Sequence, residues 1–495
     1  MVHKNMTTVL TFGMLCCASM MSGLAHSEPG KEAILKAIKQ SSVFMMDSVS
    51  DRGGFVRLYT ENLSEKWGEV PARASMVWVQ SPGTVSVGEI FLNTYQVTGD
   101  PLYLDYCDRI ADTLIWGQHA SGGWHYFIDF DPAATEAWYQ RIGTQCWGWE
   151  EFYHFYDNST FDDNTTTGAA TYLLNLFKET KKPKYEKPLR KVIQFILDAQ
   201  YPLGGWPQRF PLQTEHHPEP ITDYTSYYTF NDGVTVGNIY FLLKAHELFG
   251  DEEIQRAAIR GMRFVALSQY GEPQPGWAQQ FDLDLNPGGA RNYEPASIAP
   301  STTYSMIRQL LKFYRITGDT RFLRGIPSAL DWLDRSTLPT GHSDDGHTHA
   351  QFIEVGSGKP LYAHREGKSV SDGRYWVDYE PKHFPGHYGM QTRVNVQVLR
   401  QQVEIVSSLS PEAAMESYRA EKENPVNPGR PSMDEVAKII DALDKRGAWI
   451  EDLSVPDFRD WKNRPRRKFR GISTATFQHN LRSLTSSLSH FDNKN

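Results

Sequence analysis

Apolar residues recur at helical spacing along most of the chain, and the pattern comes in pairs. One helix ends at a turn, a second follows at once, and an aromatic loop closes the unit, with a period of roughly 70 residues. Four copies are traceable. Their internal turns are Thr98-Gly99-Asp100, Lys181-Lys182-Pro183, Gly250-Asp251 and Thr317-Gly318-Asp319, in which Gly or Pro ends one helix and the following residues begin the next. The second helices carry an apolar stripe, as in Leu189-Val192-Ile193-Ile196-Leu197, and three of them end in Gln118, Gln200 and Gln269. Gly122-Gly123-Trp124, Gly204-Gly205-Trp206 and Pro275-Gly276-Trp277 come next.

Helix hairpins at this period, with almost no strand alternation, predict an all-α fold: an (α/α) toroid or incomplete toroid spanning 30–390, with a helical solenoid as the other packing. In such an array the Trp loops share one rim with the segments leading into the first helices, Phe161-Asp162-Asp163-Asn164, Phe230-Asn231-Asp232-Gly233 and Arg291-Asn292-Tyr293-Glu294-Pro295. Beyond 391 the pattern changes. Residues 391–482 read as a C-terminal helical extension containing a helix over Met433–Asp444, and 483–495 as a disordered tail.

Lys4, the apolar run Thr8 to Leu24 and the small residues around Ala25 predict a signal peptide over 1–25, hence an exported protein, periplasmic or secreted, with no membrane span after cleavage. Four cysteines among 495 residues exclude a disulfide framework, since Cys16 and Cys17 leave with the signal. Cys107 and Cys146 are left either bridged or as buried thiols. A net charge of −8 without a long basic tract in the repeats argues against nucleic acid. The basic run Lys462 to Arg470 reads as a solvated surface. A monomer is expected.

Asp163 and Asp232 occupy matching positions in the two Phe-x-Asp segments. Each reads either as a helix cap or as one of two carboxylates converging across the rim, where hard oxygen donors suit Ca²⁺. Arg291 either pairs structurally with Glu294 or Asp282 or takes part in chemistry. His342, His347 and His349, with Asp344 and Asp345, read as a loop rather than a metal site, for lack of a helical His pair.

Four stretches carry a family resemblance. They are Phe161-Asp162-Asp163-Asn164-Thr165-Thr166-Thr167; Gln200-Tyr201-Pro202-Leu203-Gly204-Gly205-Trp206-Pro207-Gln208 with Thr229-Phe230-Asn231-Asp232; Arg291 to Ser297; and Gly358 to Gly367. Over about 75–390 the sequence resembles the pectate lyases of polysaccharide lyase family 10. That resemblance implies calcium-assisted β-elimination on a uronate polymer, polygalacturonate by default. Arg291 would be the base, Asp163 and Asp232 would place calcium, and Arg365 would grip a substrate carboxylate. Arg374, Tyr293, Trp206 and Tyr362 are further expected substrate contacts. The chemistry demands such groups, because removing the C5 proton of a uronide loads charge onto a carboxylate that a cation and an arginine can neutralise. In Tyr379 to Gly389 an arginine usual in the family is missing, which leaves Arg374 or Lys382 to substitute and leaves the uronate open. A glycoside hydrolase using two of Asp163, Asp232 and Glu294, or a non-catalytic acidic-glycan binder, are the other readings.

Overall fold

The computed structural model describes residues 28–145, 157–212, 223–339, 346–366, 374–385, 388–424, 429–456 and 466–492. The expected signal peptide, Cys146 and the loop residues His342, Asp344 and Asp345 lie outside them. The helices are α1 Lys31–Phe44, α2 Thr84–Thr98, α3 Pro101–Trp116, α4 Thr135–Gln145, α5 Thr165–Thr180, α6 Glu186–Ala199, α7 Val234–Phe249, α8 Glu252–Leu267, α9 Pro300–Thr317, α10 Ile326–Arg335, α11 Val396–Ser407, α12 Pro411–Glu423, α13 Met433–Asp441 and α14 Thr474–Ser487.

The four expected hairpins form as α2/α3, α5/α6, α7/α8 and α9/α10 in the manner of an (α/α) toroid, with α2, α5 and α7 packed side by side as the inner row. Tyr240 of α7 donates to Gln309 of α9 at 2.6 Å, which carries the row onward. Each inner helix stops at a left-handed residue: Gly99, Lys181, Gly250 and Gly318 have φ of 56–71°. Asp100 and Asp251 then cap the partner, and Asp319 caps the short 3₁₀ helix Thr320–Leu323 that leads into it, each accepting from the amide two residues on. Inner helices sit between neighbours and are buried on most sides, whereas α6 buries one stripe through Leu189, Val192, Ile193 and Ile196.

The glutamines and Trp loops turn out to be the fasteners between repeats. Gln118 donates to Gly122 O of its own loop and to Pro188 O of the next outer helix; Gln200 does the same to Gly204 O and Ala257 O, and Gln269 to Pro275 O and Gly325 O. Each indole N–H donates backwards to its own outer helix: Trp124 to Leu114 O, Trp206 to Ile196 O and Trp277 to Val265 O, at 2.7–2.8 Å. All three rings are fully buried. Gly204 has φ +115°, and a Cβ there would lie 2.4 Å from Arg260 O; at Gly99, φ +69°, a Cβ would meet nothing. Gly99→Ala is therefore expected to cost only the left-handed strain, about 1–2 kcal/mol. Gly204→Ala adds a backbone clash and should lower the melting temperature clearly further; equal losses in thermal denaturation would contradict this packing.

Strands appear where alternation was not expected. Short pairs stitch the rim, Ser159–Thr160 with Arg209–Phe210 and Tyr228–Thr229 with Gln280–Phe281. Ser297–Ile298, Phe352–Glu354, Pro360–Glu366 and Arg374–Asp378 form a four-stranded antiparallel sheet.

The C-terminal residues are integral to the fold rather than an appendage. Helices α11 and α12 pack on α9, α14 packs on α2 and α1, and Arg466–Ser473 pairs with Leu58–Thr60. The disordered tail is corrected over its described residues, 483–492: Leu484 within α14 and Leu488 just after it are buried together with Leu481, because their 3–4 spacing forms one apolar face, and 493–495 lie outside the described residues. Cys107 is a buried free thiol. His349 is buried against Leu333 O and Thr348 Oγ1, which accounts for it structurally. Among the described residues no helix is long and apolar enough to cross a membrane.

Candidate active site

The two matched aspartates lie in one local geometry. Asp163 and Asn164 have φ of 49° and 56°, and Asp232 and Gly233 have 52° and 76°, so each inner helix is entered through two consecutive left-handed residues. For Asp and Asn this conformation costs energy and persists where the surroundings impose it. Neither aspartate caps its helix by a side-chain hydrogen bond, which removes the capping explanation. Asp163 instead accepts from Gln80, and Asp232 accepts from Asn231 Nδ2 at 2.6 Å, with Asn231 held by Gln280 at 2.7 Å.

Arg291 lies between three carboxylates: Glu294 at 3.2 Å, Asp162 at 3.5 Å and Asp232 at 3.8 Å. Its side chain is only 10% exposed, and Glu294 and Asp162 are more buried still. Asp282 is no partner, being occupied by the amides of Asp284 and Asn286 in its own loop. Tyr126 donates to Asp162 Oδ2 at 2.5 Å, and Asp162 Oδ1 is buried without a hydrogen-bond partner. Burial and the neighbouring Asp162 charge push the Asp163 carboxyl up to about 6. Burial and Asp162 likewise raise Asp232 well above its ordinary range, with Arg291 working in the opposite direction.

The expected substrate contacts divide. Arg365 lies on Pro360–Glu366 with its guanidinium 5.9 Å from the Tyr375 ring centroid, and Tyr375 in turn neighbours Tyr293. Strand alternation puts Arg374 on the opposite face, over Trp376, where it pairs with Glu366 and is 74% exposed. Lys382 is likewise exposed and paired with Glu380, so neither cation stands beside Arg365 in place of the missing arginine. Trp206, Tyr293 and Tyr362 are buried; Tyr362 stacks on Phe384, and Tyr293 packs against Tyr388 with the rings tilted by 45°. As placed, these aromatics pack the rim from beneath and present no face to a sugar. Gln80, Tyr126, Gln280 and the Asp162 side chain were not anticipated. The one signal for Gln80 is its spacing in Trp78-Val79-Gln80, which matches Trp206-Pro207-Gln208 and Trp277-Ala278-Gln279.

A crowded set of acids around one arginine, at the mouth of a helical array, fits binding of a cation together with an anionic substrate. The pectic acid lyase family matches residues 118–376, more than half of the chain, and the match contains every residue of this cluster except Gln80. The chain belongs to the pectic acid lyase family. As a member it is a polysaccharide lyase. Among solved structures, the family 10 polysaccharide lyase from Cellvibrio cellulosa is similar at 16% identity over 66% of this chain and 98% of that one, with a TM-score of 0.44. A glycoside hydrolase family 76 mannosidase from Bacteroides thetaiotaomicron is similar at 10% identity over 93% and 100%, with a TM-score of 0.42. No curated protein matches the sequence.

Proposed function

We propose that this pectic acid lyase is exported and cleaves a uronate polymer, polygalacturonate by default, by calcium-assisted β-elimination with Arg291 as the base. The observation that carries the reading is the Arg291 cluster, three carboxylates and one guanidinium at the rim of the matched family region.

Calcium suits this donor set on two counts. Asp162 Oδ1 is a buried oxygen without a partner, and Asp163 and Asp232 are carboxylates that their surroundings push toward protonation, a tension that a bound cation relieves. Among the described residues no three His, Cys, Asp or Glu side chains already converge on one metal-sized position. Asp163 and Asp232, with Asp162, would therefore hold the ion incompletely and leave coordination positions for substrate oxygen and water. When bound, it would supply charge neutralisation at the uronate carboxylate.

Service as a base requires Arg291 to give up a proton, and the three carboxylates around it, Asp162, Asp232 and Glu294, tighten its hold on that proton. Its service as a base then depends on those carboxylates being engaged elsewhere, so that Arg291 turns from Asp162 and Asp232 toward the substrate. Arg365, on the strand facing Tyr293, would clamp a substrate carboxylate.

The polymers polygalacturonate and glucuronan, assayed for new ultraviolet absorbance with and without a calcium chelator, test the reading. Absorbance from a 4,5-unsaturated end that chelation abolishes is expected; no unsaturated product from either polymer at alkaline pH with calcium present would overturn it.

The raised carboxyl gives a second expectation. The folded protein holds the Asp163 proton more tightly than the unfolded chain does, so this group's contribution to stability falls as pH rises from 3.8 through about 6. Calcium should thus raise the melting temperature at pH 8, by about 2.7 kcal/mol of stability at a hundredfold excess over Kd. The gain should shrink as pH drops below about 6, where protons compete for the same oxygens. A calcium shift of equal size at pH 5 and pH 8 would contradict these ligands.

A further inference from the structure

β-Elimination involves two proton transfers, and Arg291 can account for one. A sugar alkoxide is a poor leaving group, so the oxygen released when the C4–O bond breaks needs a proton of its own. In a galacturonide the C5 hydrogen and the C4 oxygen lie on opposite faces of the ring. The group that takes the first therefore cannot hand a proton to the second. A separate donor is required, close to Arg291 and open to the cleft.

Tyrosines gather along the same rim. Tyr126 has committed its proton to Asp162, at 2.5 Å. Tyr224, its ring centroid 5.8 Å from the Arg291 guanidinium, and Tyr293 are each 1% exposed. The hydroxyl of Tyr375 is buried, with its ring beside Arg365. Tyr388 differs. Its ring lies 4.9 Å from that of Tyr293 and 6.1 Å from that of Phe352, yet the residue is partly exposed. Gln279 Nε2 donates to its oxygen at 3.1 Å, and its own O–H finds no acceptor among the described residues. The Gln279 carbonyl accepts from the amide of Phe230, two residues before Asp232. Met390, two residues beyond Tyr388, is buried against the amide of Ala363, on the strand that carries Arg365. Tyr388 is thus anchored between the Arg291 cluster and the Arg365 strand. Desolvation by the rim packed around it and the charges of Glu294 and Asp232 raise its phenol well above the ordinary tyrosine range, with Gln279 and Arg291 opposing. It keeps its proton at the alkaline pH that a neutral arginine calls for.

We propose that Tyr388 is a second catalytic residue, the proton donor to the leaving C4 oxygen. The inference rests on the lyase reading above. As the electron pair of the C5–H bond becomes the new C4=C5 bond, the C5 proton passes to Arg291, the C4–O bond breaks, and the departing oxygen takes the Tyr388 proton to become a hydroxyl. One proton returned from Arg291 to the phenolate through water restores both groups. The Gln279 amide, already donating to the Tyr388 oxygen, stabilises the phenolate in the interval.

Tyr388→Phe in the full chain keeps the ring and deletes only the hydroxyl. On polygalacturonate its kcat should fall about a hundredfold or more, the scale of a lost general acid. A galacturonide whose O4 carries a 4-nitrophenyl group in place of the next sugar supplies the comparison, because nitrophenolate departs without a proton. There the variant should match the native chain. Calorimetry with an oligogalacturonide should also return the native affinity, which separates a lost proton donor from a lost fold. Equal losses on both substrates, polymer turnover at the native rate, or weakened oligogalacturonide binding that accounts for the loss would overturn Tyr388 as the donor and leave the lyase reading in place. Absence of unsaturated product from the native chain would overturn the lyase reading itself, and this step with it.

Discussion

Replacing Arg291 with alanine should lower kcat on the uronate polymer by about a thousandfold or more, the scale of losing a positioned proton-transfer group. The structure adds a second consequence. Arg291 is the counter-charge for Asp162, Asp232 and Glu294, two of which are nearly buried, so its removal leaves uncompensated acids at a cost of about 3–5 kcal/mol. A lower melting temperature should accompany the lost activity, and calcium should restore part of it. Arg291→Lys separates the two effects. Its ammonium supplies a charge but cannot span three carboxylates with a planar fork. Stability should recover more than kcat does, and a lysine variant with near wild-type kcat would remove Arg291 from the chemistry.

The second large effect concerns Trp206, and it runs against the reading its loop invites. Trp206→Ala should destabilise the fold by about 3–5 kcal/mol, because a fully buried indole leaves a cavity and Ile196 O loses its donor. KM of the fraction that remains folded should stay where it was. A stable variant with a raised KM would instead restore Trp206 to the sugar-binding surface.

What the sequence conveyed follows from how local each signal is. The hairpins were legible because 3.6-residue periodicity and the Gly-Asp turns are both written within a few residues, and Gly99-Asp100, Gly250-Asp251 and Gly318-Asp319 behave as expected. The pairing of Asp163 with Asp232 was legible because a repeat places equivalent residues equivalently. The Trp loops were visible as a repeat but misleading as chemistry. Nothing in Gly-Gly-Trp says that the ring turns inward to a carbonyl ten residues back.

Contacts between distant segments were out of reach. Gln80 meets Asp163 across 83 positions and Tyr126 meets Asp162 across 36; the Trp-x-Gln spacing marks Gln80 as a repeat position without naming its partner, and no local pattern marks Tyr126. The C-terminal return was concealed by its own charges. Leu453 and Val455 face Phe469 and Arg467 in strand alternation, but the arginines and lysine on Arg466–Ser473 make that segment read as solvated surface. The acidic setting of Arg291 was equally hidden, since Asp162 and Asp232 approach it from two other repeats.

Elimination and hydrolysis differ in the fate of water, and this decides the central claim. Polygalacturonate digested in heavy-oxygen water, with products read by mass spectrometry, should give oligomers with a 4,5-unsaturated non-reducing end and no label introduced at the cleaved bond. Saturated products carrying the heavy oxygen would show that the carboxylates around Arg291 activate water, and would contradict elimination at this site.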